Sequence, residues 1–533
     1  MIYDTTLRDG SQAEGISFSL EDKLDIARQL DAFGVDYIEG GWPGSNPKDM
    51  AFFKAASKIR YKHSKLAAFG STRRAGIKAS ADKNMKSLVG AATPVITVFG
   101  KSWRLHVKEA LRTSLAENLR MIEDSLRYLT GHCPEVVFDA EHFFDGYADN
   151  PDYALKTLAA AVAGGASWIV LCDTNGGRLP DEIAQGCARV VSEFGIPVGI
   201  HCHNDSGVAT AGTLAGVQAG ACMVHGTVNG FGERCGNADL MSVIPNLQLK
   251  MNKKCLELPD LQHLTRLSRY VYDLANLRLQ NAQPFVGRSA FAHKGGIHVS
   301  AVNRNSETYE HIDPKIVGNA RRILVSELSG RSNVLVLAGD RYDLGAHPEK
   351  MKAIVEKVQD LENQGYQFEA AEASFDLLVR KAMGDWQPFF NLHGFRVSSD
   401  LSQDGVEGTQ ATIKLDVNGQ MEHTAAEGNG PVNALDGALR KALEKFYPSL
   451  ADVQLIDFKV RVINAREATA AKVRVTIESS DSQEHWHTVG VSENIIEASW
   501  SALLDSVEYK LLKERDASRS PRRKRQGKRR KST

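Results

Sequence analysis

The sequence predicts an α/β protein: a (β/α)8 TIM barrel, then a helical subdomain and a C-terminal α+β domain. Three observations lead to this prediction. Short apolar runs alternate with amphipathic helical segments over about the first 250 residues, a pattern typical of a parallel sheet covered by helices on both faces. Eight such runs fit a closed barrel better than an open sheet. The pattern then changes twice, near residues 256 and 361.

The eight apolar runs are the predicted barrel strands, and each is followed by a loop and a helical segment. Several helical segments begin at Ser, Asp or Asn and end at Gly, as helix caps do. Because periodicity alone does not close a barrel, a doubly wound open sheet remains the alternative. The predicted strands are 1–7, 37–42, 65–70, 94–100, 135–141, 167–174, 197–203 and 222–228.

The predicted domains are the barrel at 1–255, the helical subdomain at 256–360, the α+β domain at 361–515 and a disordered tail at 516–533. The tail holds nine Lys or Arg against one Asp, and such a charge block favours a solvated extension over a nucleic-acid contact. The chain has no apolar run of 18 residues and no signal-peptide pattern, so a cytoplasmic protein without a membrane partner is expected. Seven scattered cysteines without a CxxC motif predict neither disulfides nor a thiolate zinc site.

Polar residues recur where the predicted strands end, which is where barrel enzymes place their chemistry. Asp9 follows strand one, His201 and His203 end strand seven, and Asn237 follows strand eight. Residues two apart on a strand face the same side, so both imidazoles can reach one ion. A carboxylate, two imidazoles and an amide oxygen suit Mn²⁺, Mg²⁺ or Zn²⁺. The alternative is that both histidines are ordinary core residues.

Other residues are weaker candidates on sequence alone. Glu141 ends strand five, where a carboxylate could take a proton from an acyl-CoA methyl group, although most glutamates form surface ion pairs. Thr174 ends strand six and could hydrogen-bond a substrate carboxylate. His298, beyond the barrel, is a possible acid–base group, but a lone histidine is more often structural. Three glycines after strand eight would let the backbone approach a ligand closely, such as a CoA thioester. They are Gly230, Gly232 and Gly236.

Three motifs together resemble the acyl-CoA-condensing branch of the metal-dependent pyruvate aldolase-like superfamily, which includes 2-isopropylmalate, homocitrate and citramalate synthases. The motifs are DTTLRDG (4–10), HCHND (201–205) and GERCGN (232–237). The C-terminal segments 428–443 and 488–509 resemble the regulatory domain of isopropylmalate and citramalate synthases. Segments 37–49 and 368–382 look like the longer type of (R)-citramalate synthase, and the basic tail departs from the family pattern.

The resemblance implies an acyltransferase that condenses acetyl-CoA with pyruvate and hydrolyses the thioester to (R)-citramalate, the first step of a pyruvate route to isoleucine. It implies a divalent metal on Asp9, His201, His203 and, in part of the family, Asn237. Arg8 would polarise the ketone and Thr174 would hold the oxo-acid carboxylate. Glu141 would act near the acetyl-CoA methyl group, and His298 would be a catalytic histidine supplied by the partner subunit of a homodimer.

Other functions remain open from the sequence. A 2-isopropylmalate synthase, acting on 2-oxoisovalerate, would share every catalytic residue. Feedback inhibition by isoleucine is implied for a citramalate synthase, and inhibition by leucine for the alternative. A lyase of the hydroxymethylglutaryl-CoA type would have no use for the C-terminal domain. A non-catalytic amino-acid sensor is disfavoured by the intact set of candidate metal ligands.

Overall fold

The structure, a computed structural model, divides into two compact units. A barrel unit comprises Met1–Phe291 and Ile312–Arg321, and a C-terminal unit comprises Ala292–His311 and Arg322–Thr533. The structure describes residues 1–256, 258–324, 347–368, 371–384, 386–401, 407–463, 471–482 and 484–519.

Eight parallel strands close into a barrel in sequence order, and β1 pairs with both β2 and β8. The predicted fold class is therefore confirmed, and an open sheet is excluded. All eight predicted strands form. Their bounds are β1 Ile2–Asp4, β2 Tyr37–Gly41, β3 Lys65–Ser71, β4 Val95–Lys101, β5 Glu135–Glu141, β6 Trp168–Asp173, β7 Val198–Cys202 and β8 Met223–Gly226.

Helices cover the outside of this barrel. The Ser19 hydroxyl and the Asp22 carboxylate cap the first helix reciprocally, and Gly34 ends it with φ +94°, a left-handed conformation that glycine adopts without steric cost. The helices of the barrel unit are α1 Leu20–Phe33, α2 Pro47–Ala56, α3 Lys83–Gly90, α4 Arg104–Glu109, α5 Leu115–Thr130, α6 Phe143–Asp149, α7 Pro151–Ala163, α8 Pro180–Glu193, α9 Ala209–Gln218, α10 Leu240–Pro245, α11 Leu258–Leu261 and α12 Leu264–Leu274.

Two apolar layers hold the barrel unit together. One layer lies between strands and helices and includes Ile38, Phe138 and Ile200, all fully buried. The other fills the barrel interior and includes Tyr3 and Tyr37, whose rings stack at 5.5 Å. Because the interior is filled with side chains, space for a ligand lies at the mouth, where the strands end.

The C-terminal unit begins with a small segment in which β9 (Ala292–His293) pairs with β10 (Arg322–Ile323) and α13 spans Gly296–Arg304. Its larger part holds two βββα modules, each an antiparallel three-stranded sheet followed by a helix. Two helices precede the modules. The remaining bounds are α14 Pro348–Asn363, α15 Glu372–Met383, β11 Asn391–Leu401, β12 Glu407–Val417, β13 Gln420–Gly428, α16 Pro431–Leu443, β14 Gln454–Val462, β15 Val473–Ser480, β16 His485–Ser492 and α17 Ile495–Arg519.

Helix α17 runs to Arg519 and so includes the first four residues of the predicted tail at 516–533. The rest of that tail, 520–533, lies outside the described residues. Among the helices that the structure describes, none combines the length and the apolar character needed to cross a membrane.

Candidate active site

The turn after β1 presents Arg8 and Asp9 at the mouth of the barrel. The backbone N–H of Arg8 donates to the Thr5 carbonyl. The hydroxyl of Thr6 accepts a hydrogen bond from the backbone N–H of Val228, 2.9 Å away, which fastens this turn to the segment after β8. The first and last strands therefore fix the position of Asp9 together.

The end of β7 brings two imidazoles to Asp9. His201 Nε2 lies 3.3 Å and His203 Nε2 lies 3.9 Å from Asp9 Oδ2. One ligand atom from each of the three residues lies within 4.8 Å of the others, and all three side chains are buried. Two nitrogens and one oxygen at this spacing can share a single divalent cation.

Asn237 lies beside His203 because the loop after β8 folds back across the end of β7. The two residues form an antiparallel bridge. Asn237 Nδ2 donates to the Phe231 carbonyl at 3.1 Å, whereas its Oδ1 is buried and has no hydrogen-bond partner in the described part of the chain. Buried polar atoms are normally satisfied, so this group of side chains fits a cation with oxygen and nitrogen ligands.

The charges of the cluster also fit a cation. Burial alone would raise the pKa of Asp9, but the Arg8 guanidinium and the two imidazoles hold it well below its usual range. Burial, followed by the charge of His201, lowers the pKa of His203 to about 4. At neutral pH Asp9 is therefore anionic and His203 is neutral, which are the forms that bind metals.

Arg8 is held in one orientation by residues that the sequence did not single out. Its Nε donates to Glu39 Oε1 at 2.6 Å, and its guanidinium carbon lies 3.7 Å from the centroid of the Phe69 ring. Glu39 Oε2 in turn accepts from the Tyr3 hydroxyl at 2.8 Å. The signal for Glu39 was present, since a charged residue inside the apolar run YIEGG has to be paired.

Asp139 is a second buried carboxylate that sequence reasoning missed. It lies in β5, is 4% exposed, and its Oδ1 has no hydrogen-bond partner among the residues described. Burial and then the charge of Glu39 raise the pKa of Asp139 to about 7. Strand alternation places it two residues before Glu141 on the same side of β5.

Glu141 and Thr174 lie at the ends of neighbouring strands. Glu141 is the last residue of β5 and forms an ion pair with Lys101, the last residue of β4. Thr174 directly follows β6, and its hydroxyl accepts from the backbone N–H of His142 at 2.8 Å. The proton of that hydroxyl can therefore be donated to a ligand.

The three candidate glycines shape the loop that carries Asn237. Gly230, Gly232 and Gly236 have φ values of +68°, +156° and +86°. A Cβ on Gly236 would lie 2.0 Å from the carbonyl oxygen of Gly230, and one on Gly232 would lie 2.2 Å from Asn237 Nδ2. The loop thus needs glycine for its own folding, and all three line a cavity of about 540 Å³ that also includes Asn237 and Asn204.

His298 belongs to the other unit. It lies in α13, is exposed, and its ring stacks on Tyr309 with centroids 4.1 Å apart. The structure therefore brings together Asp9, His201, His203, Asn237 and Arg8 in one unit, and describes His298 only within its own.

Comparisons with known proteins cover nearly the whole chain. Residues 1–271 match the HMGL-like family model, 285–366 the homocitrate synthase post-HMGL domain-like model, and 369–511 the LeuA allosteric (dimerisation) domain model. An (R)-citramalate synthase of Geobacter sulfurreducens is 57% identical over 514 residues, covering 96% of this chain and 97% of its own. That of Aquifex aeolicus is 55% identical, covering 97% and 98%. A probable 2-isopropylmalate synthase of Methanopyrus kandleri is 32% identical, covering 97% and 99%.

Proposed function

The chain belongs to the HMGL-like family and, within it, to the (R)-citramalate synthases, and from that membership we propose its reaction. It condenses acetyl-CoA with pyruvate and hydrolyses the resulting thioester, releasing (R)-citramalate and CoA. It is accordingly an acyltransferase in which the acyl group becomes an alkyl group on transfer.

One observation favours this reaction over that of a 2-isopropylmalate synthase. Five (R)-citramalate synthases are 46% to 57% identical to the chain over almost its full length, whereas the probable 2-isopropylmalate synthase reaches 32%. The two activities differ only in the oxo acid, because both add acetyl-CoA to a ketone. The choice of substrate is therefore the part of the proposal that most needs an assay.

The divalent cation, which would be Mn²⁺, Mg²⁺ or Zn²⁺, would be held by Asp9, His201, His203 and Asn237. When bound there, such an ion polarises a ketone oxygen and stabilises developing negative charge. Arg8 supports the same charge through its guanidinium N–H groups, and Glu39 and Phe69 hold it in place. An arginine fixed before substrate arrives needs little reorganisation during the reaction.

Two strand-end residues and the glycine loop would bind the substrates. The Thr174 hydroxyl donates its free proton to the oxo-acid carboxylate. Glu141 takes a proton from the methyl group of acetyl-CoA, and the resulting carbanion equivalent attacks the ketone carbon. The loop that contains Gly230, Gly232 and Gly236 lines the cavity in which the thioester would lie. His298 is proposed as an acid–base group supplied by the partner subunit.

A direct assay tests the reaction. The metal-loaded protein is given acetyl-CoA with either pyruvate or 2-oxoisovalerate, and free CoA and the product acid are measured. We expect a kcat/KM for pyruvate at least about tenfold higher. 2-Oxoisovalerate carries an isopropyl group where pyruvate has a methyl group, and even one extra methylene in a fitted pocket is worth roughly 1–3 kcal/mol. A preference for 2-oxoisovalerate would establish the isopropylmalate reaction instead, and no turnover of either acid would favour a sensor without catalysis.

The metal site has its own test. Asp9→Ala removes the anionic ligand, so we expect metal content per chain, measured by plasma mass spectrometry after dialysis, to fall together with activity. Asp205→Ala is the matched control, because Asp205 lies near the same mouth but pairs with Arg234 at 2.8 Å. An Asp9→Ala protein that keeps its metal and more than a few per cent of activity contradicts the proposed ligand set.

A homodimer is proposed from the exposed apolar face of the second βββα module. Strand β14 lies at the edge of its sheet, and Ile456, Val460 and Val462 are 50%, 41% and 50% exposed. Contiguous exposed apolar residues on a strand are typical of a protein interface. Ile456→Asp should therefore convert dimers to monomers in light scattering, whereas Lys459→Asp, on the same strand and polar already, should not.

Regulation is proposed on the same domain. The LeuA allosteric (dimerisation) domain model matches residues 369–511. Because citramalate would be the first product on a route to isoleucine, isoleucine is the expected feedback inhibitor. The enzyme is expected to act in the cytoplasm. Inhibition of CoA release by isoleucine but not by leucine is the expected result. Inhibition by leucine alone would point to the isopropylmalate alternative.

A further inference from the structure

The last residues of β4 and β5 form an ion pair at the barrel mouth. Lys101 and Glu141 are register partners on adjacent parallel strands, and Lys101 Nζ contacts Glu141 Oε2. Both strands end at these residues, so both side chains project from the C-terminal edge of the barrel. Their side chains are 16% and 23% exposed, so they are sheltered but still reachable from the mouth.

An aromatic pair connects Lys101 to Arg8. Lys101 Nζ lies 5.4 Å from the centroid of the Phe99 ring, and Phe99 stacks on Phe69 with centroids 5.4 Å apart. Arg8 lies over the Phe69 ring at 3.7 Å. Two cations therefore lie along one aromatic wall of the mouth, Arg8 next to Asp9 and Lys101 next to Glu141.

The surroundings of the pair are unlike those of a structural ion pair. The opposite end of β5 provides the comparison: Glu135, its first residue, pairs with Lys65 at 2.6 Å and also accepts from the Tyr37 hydroxyl at 2.6 Å. Glu135 is thus saturated, whereas Oε2 of Glu141 makes no hydrogen bond of regular geometry to any described residue. The Glu141 carboxylate therefore has fewer partners at the mouth than Glu135 has at the other end, so Lys101 and Glu141 can both turn to a ligand.

We propose that Lys101 is a catalytic residue whose ammonium group binds the thioester oxygen of acetyl-CoA while Glu141 removes a methyl proton. The inference rests on the proposed condensation. The Glu141 carboxylate gains the proton, the C–H electron pair becomes the enolate double bond, and the thioester π pair moves to oxygen beside Lys101. When the methylene carbon bonds to the ketone carbon, the thioester C=O forms again and the ketone π pair becomes an alkoxide beside Arg8.

In this arrangement each oxygen that becomes negative lies beside one positively charged side chain. The thioester oxygen lies beside Lys101, and the ketone oxygen lies beside Arg8. The thioester oxygen is nearly neutral in the substrate and negative in the enolate, so an ammonium contact strengthens along the reaction and lowers the barrier. Removing a donor of this kind costs about 10²–10³ in kcat. Arg8 cannot substitute, because Glu39 and Phe69 hold it at the other end of the wall.

The test uses three variants of the full-length, metal-loaded protein. Lys101→Met removes the charge with little change in volume, Lys101→Arg keeps the charge, and Lys65→Met removes the corresponding lysine at the other end of the barrel. Two measurements are made: steady-state kinetics, which give kcat and KM for both substrates, and the deuterium isotope effect on kcat with methyl-deuterated acetyl-CoA. Melting temperature checks that each variant folds.

We expect Lys101→Met to lose at least about 100-fold in kcat with a KM for pyruvate within a few-fold of the parent. Its isotope effect should increase, because proton removal becomes the slow step. Lys101→Arg should retain part of the rate, and Lys65→Met should behave like the parent in both measurements.

The inference is overturned if Lys101→Met folds and keeps its kcat and isotope effect, changing only the melting temperature as Lys65→Met does. If Lys101→Met does not fold, Lys101→Gln replaces it as the uncharged variant, and a folded Lys101→Gln protein that keeps the parent kcat and isotope effect overturns the inference in the same way. An inactive parent protein would instead refute the proposed function.

Discussion

Replacing Asp139 by Asn should remove a pH dependence of stability from the barrel. The carboxyl is 4% exposed, and burial and the charge of Glu39 raise its pKa to about 7. In the unfolded chain an aspartate titrates near 3.9. Between these two values the folded state binds more protons than the unfolded chain, so stability is highest at low pH and falls as the pH rises.

The magnitude follows from the two pKa values. A difference of about three units corresponds to roughly 4 kcal/mol when both states are fully ionised. Part of this loss has already occurred at pH 5, so roughly 2–3 kcal/mol remains between pH 5 and pH 8. Asn keeps the size and polarity of Asp139 but has no charge, so its other effects cancel when the difference between variant and parent is compared across pH.

Hydrogen–deuterium exchange of metal-free protein measures this difference in the barrel strands separately from the C-terminal unit. The free energy of opening of Asp139→Asn, relative to the parent, should increase by roughly 2–3 kcal/mol from pH 5 to pH 8. With a divalent cation bound the increase should shrink, because positive charge near Asp9 and His201 favours ionised Asp139. A relative stability that does not vary with pH would refute the assigned protonation.

Two further predictions concern the support of the site. Glu39→Gln should lower kcat/KM on the order of 10²-fold by loosening the orientation of Arg8, with metal content unchanged; a parent-like kcat/KM would show that Arg8 does not depend on this contact. Gly236→Ala, whose Cβ would lie 2.0 Å from a backbone oxygen, should weaken metal binding by displacing Asn237, as measured by titration calorimetry. Gly76→Ala has a similar φ of +72° and open space around its Cβ, so it should leave metal affinity unchanged, and equal behaviour of the two variants would contradict the argument.

The barrel was predictable because each of its strands is a nearly continuous apolar run between loops. Closure of the barrel depends on the pairing of β1 with β8, and the hydrophobic periodicity of the sequence cannot show which strands pair. The third strand of the first βββα module illustrates a further limit. In β13 the buried residue is Glu422, 8% exposed, whereas its neighbour Met421, the largest apolar residue of the strand, is 49% exposed. A strand with this inverted pattern has no two-residue period of burial that a sequence could reveal.

The candidate metal ligands were predictable for a different reason. Asp9, His201 and His203 are residue types with few roles when buried, and each ends or follows a strand, so topology alone brings them together. Glu39 and Asp139 were missed because their partners come from other strands. Whether a carboxylate in a strand is paired, protonated or bound to an arginine depends on neighbours that lie far away in sequence, as Arg8 lies 31 residues from Glu39.

Strand β5 shows that the direction of a strand decides which of its end residues lies at the active site, which amino-acid composition does not reveal. Its two ends, Glu135 and Glu141, are the same residue type and each pairs with a lysine. In a parallel barrel all carboxyl ends of strands meet at one mouth, so only Glu141 shares its surroundings with Asp9 and the residues after β6, β7 and β8. Glu135 meets the amino ends, where hydrogen bonds from Tyr37 and Trp168 leave it nothing further to bind. Glu135 could have the surroundings of Glu141 only if the strand ran in the opposite direction.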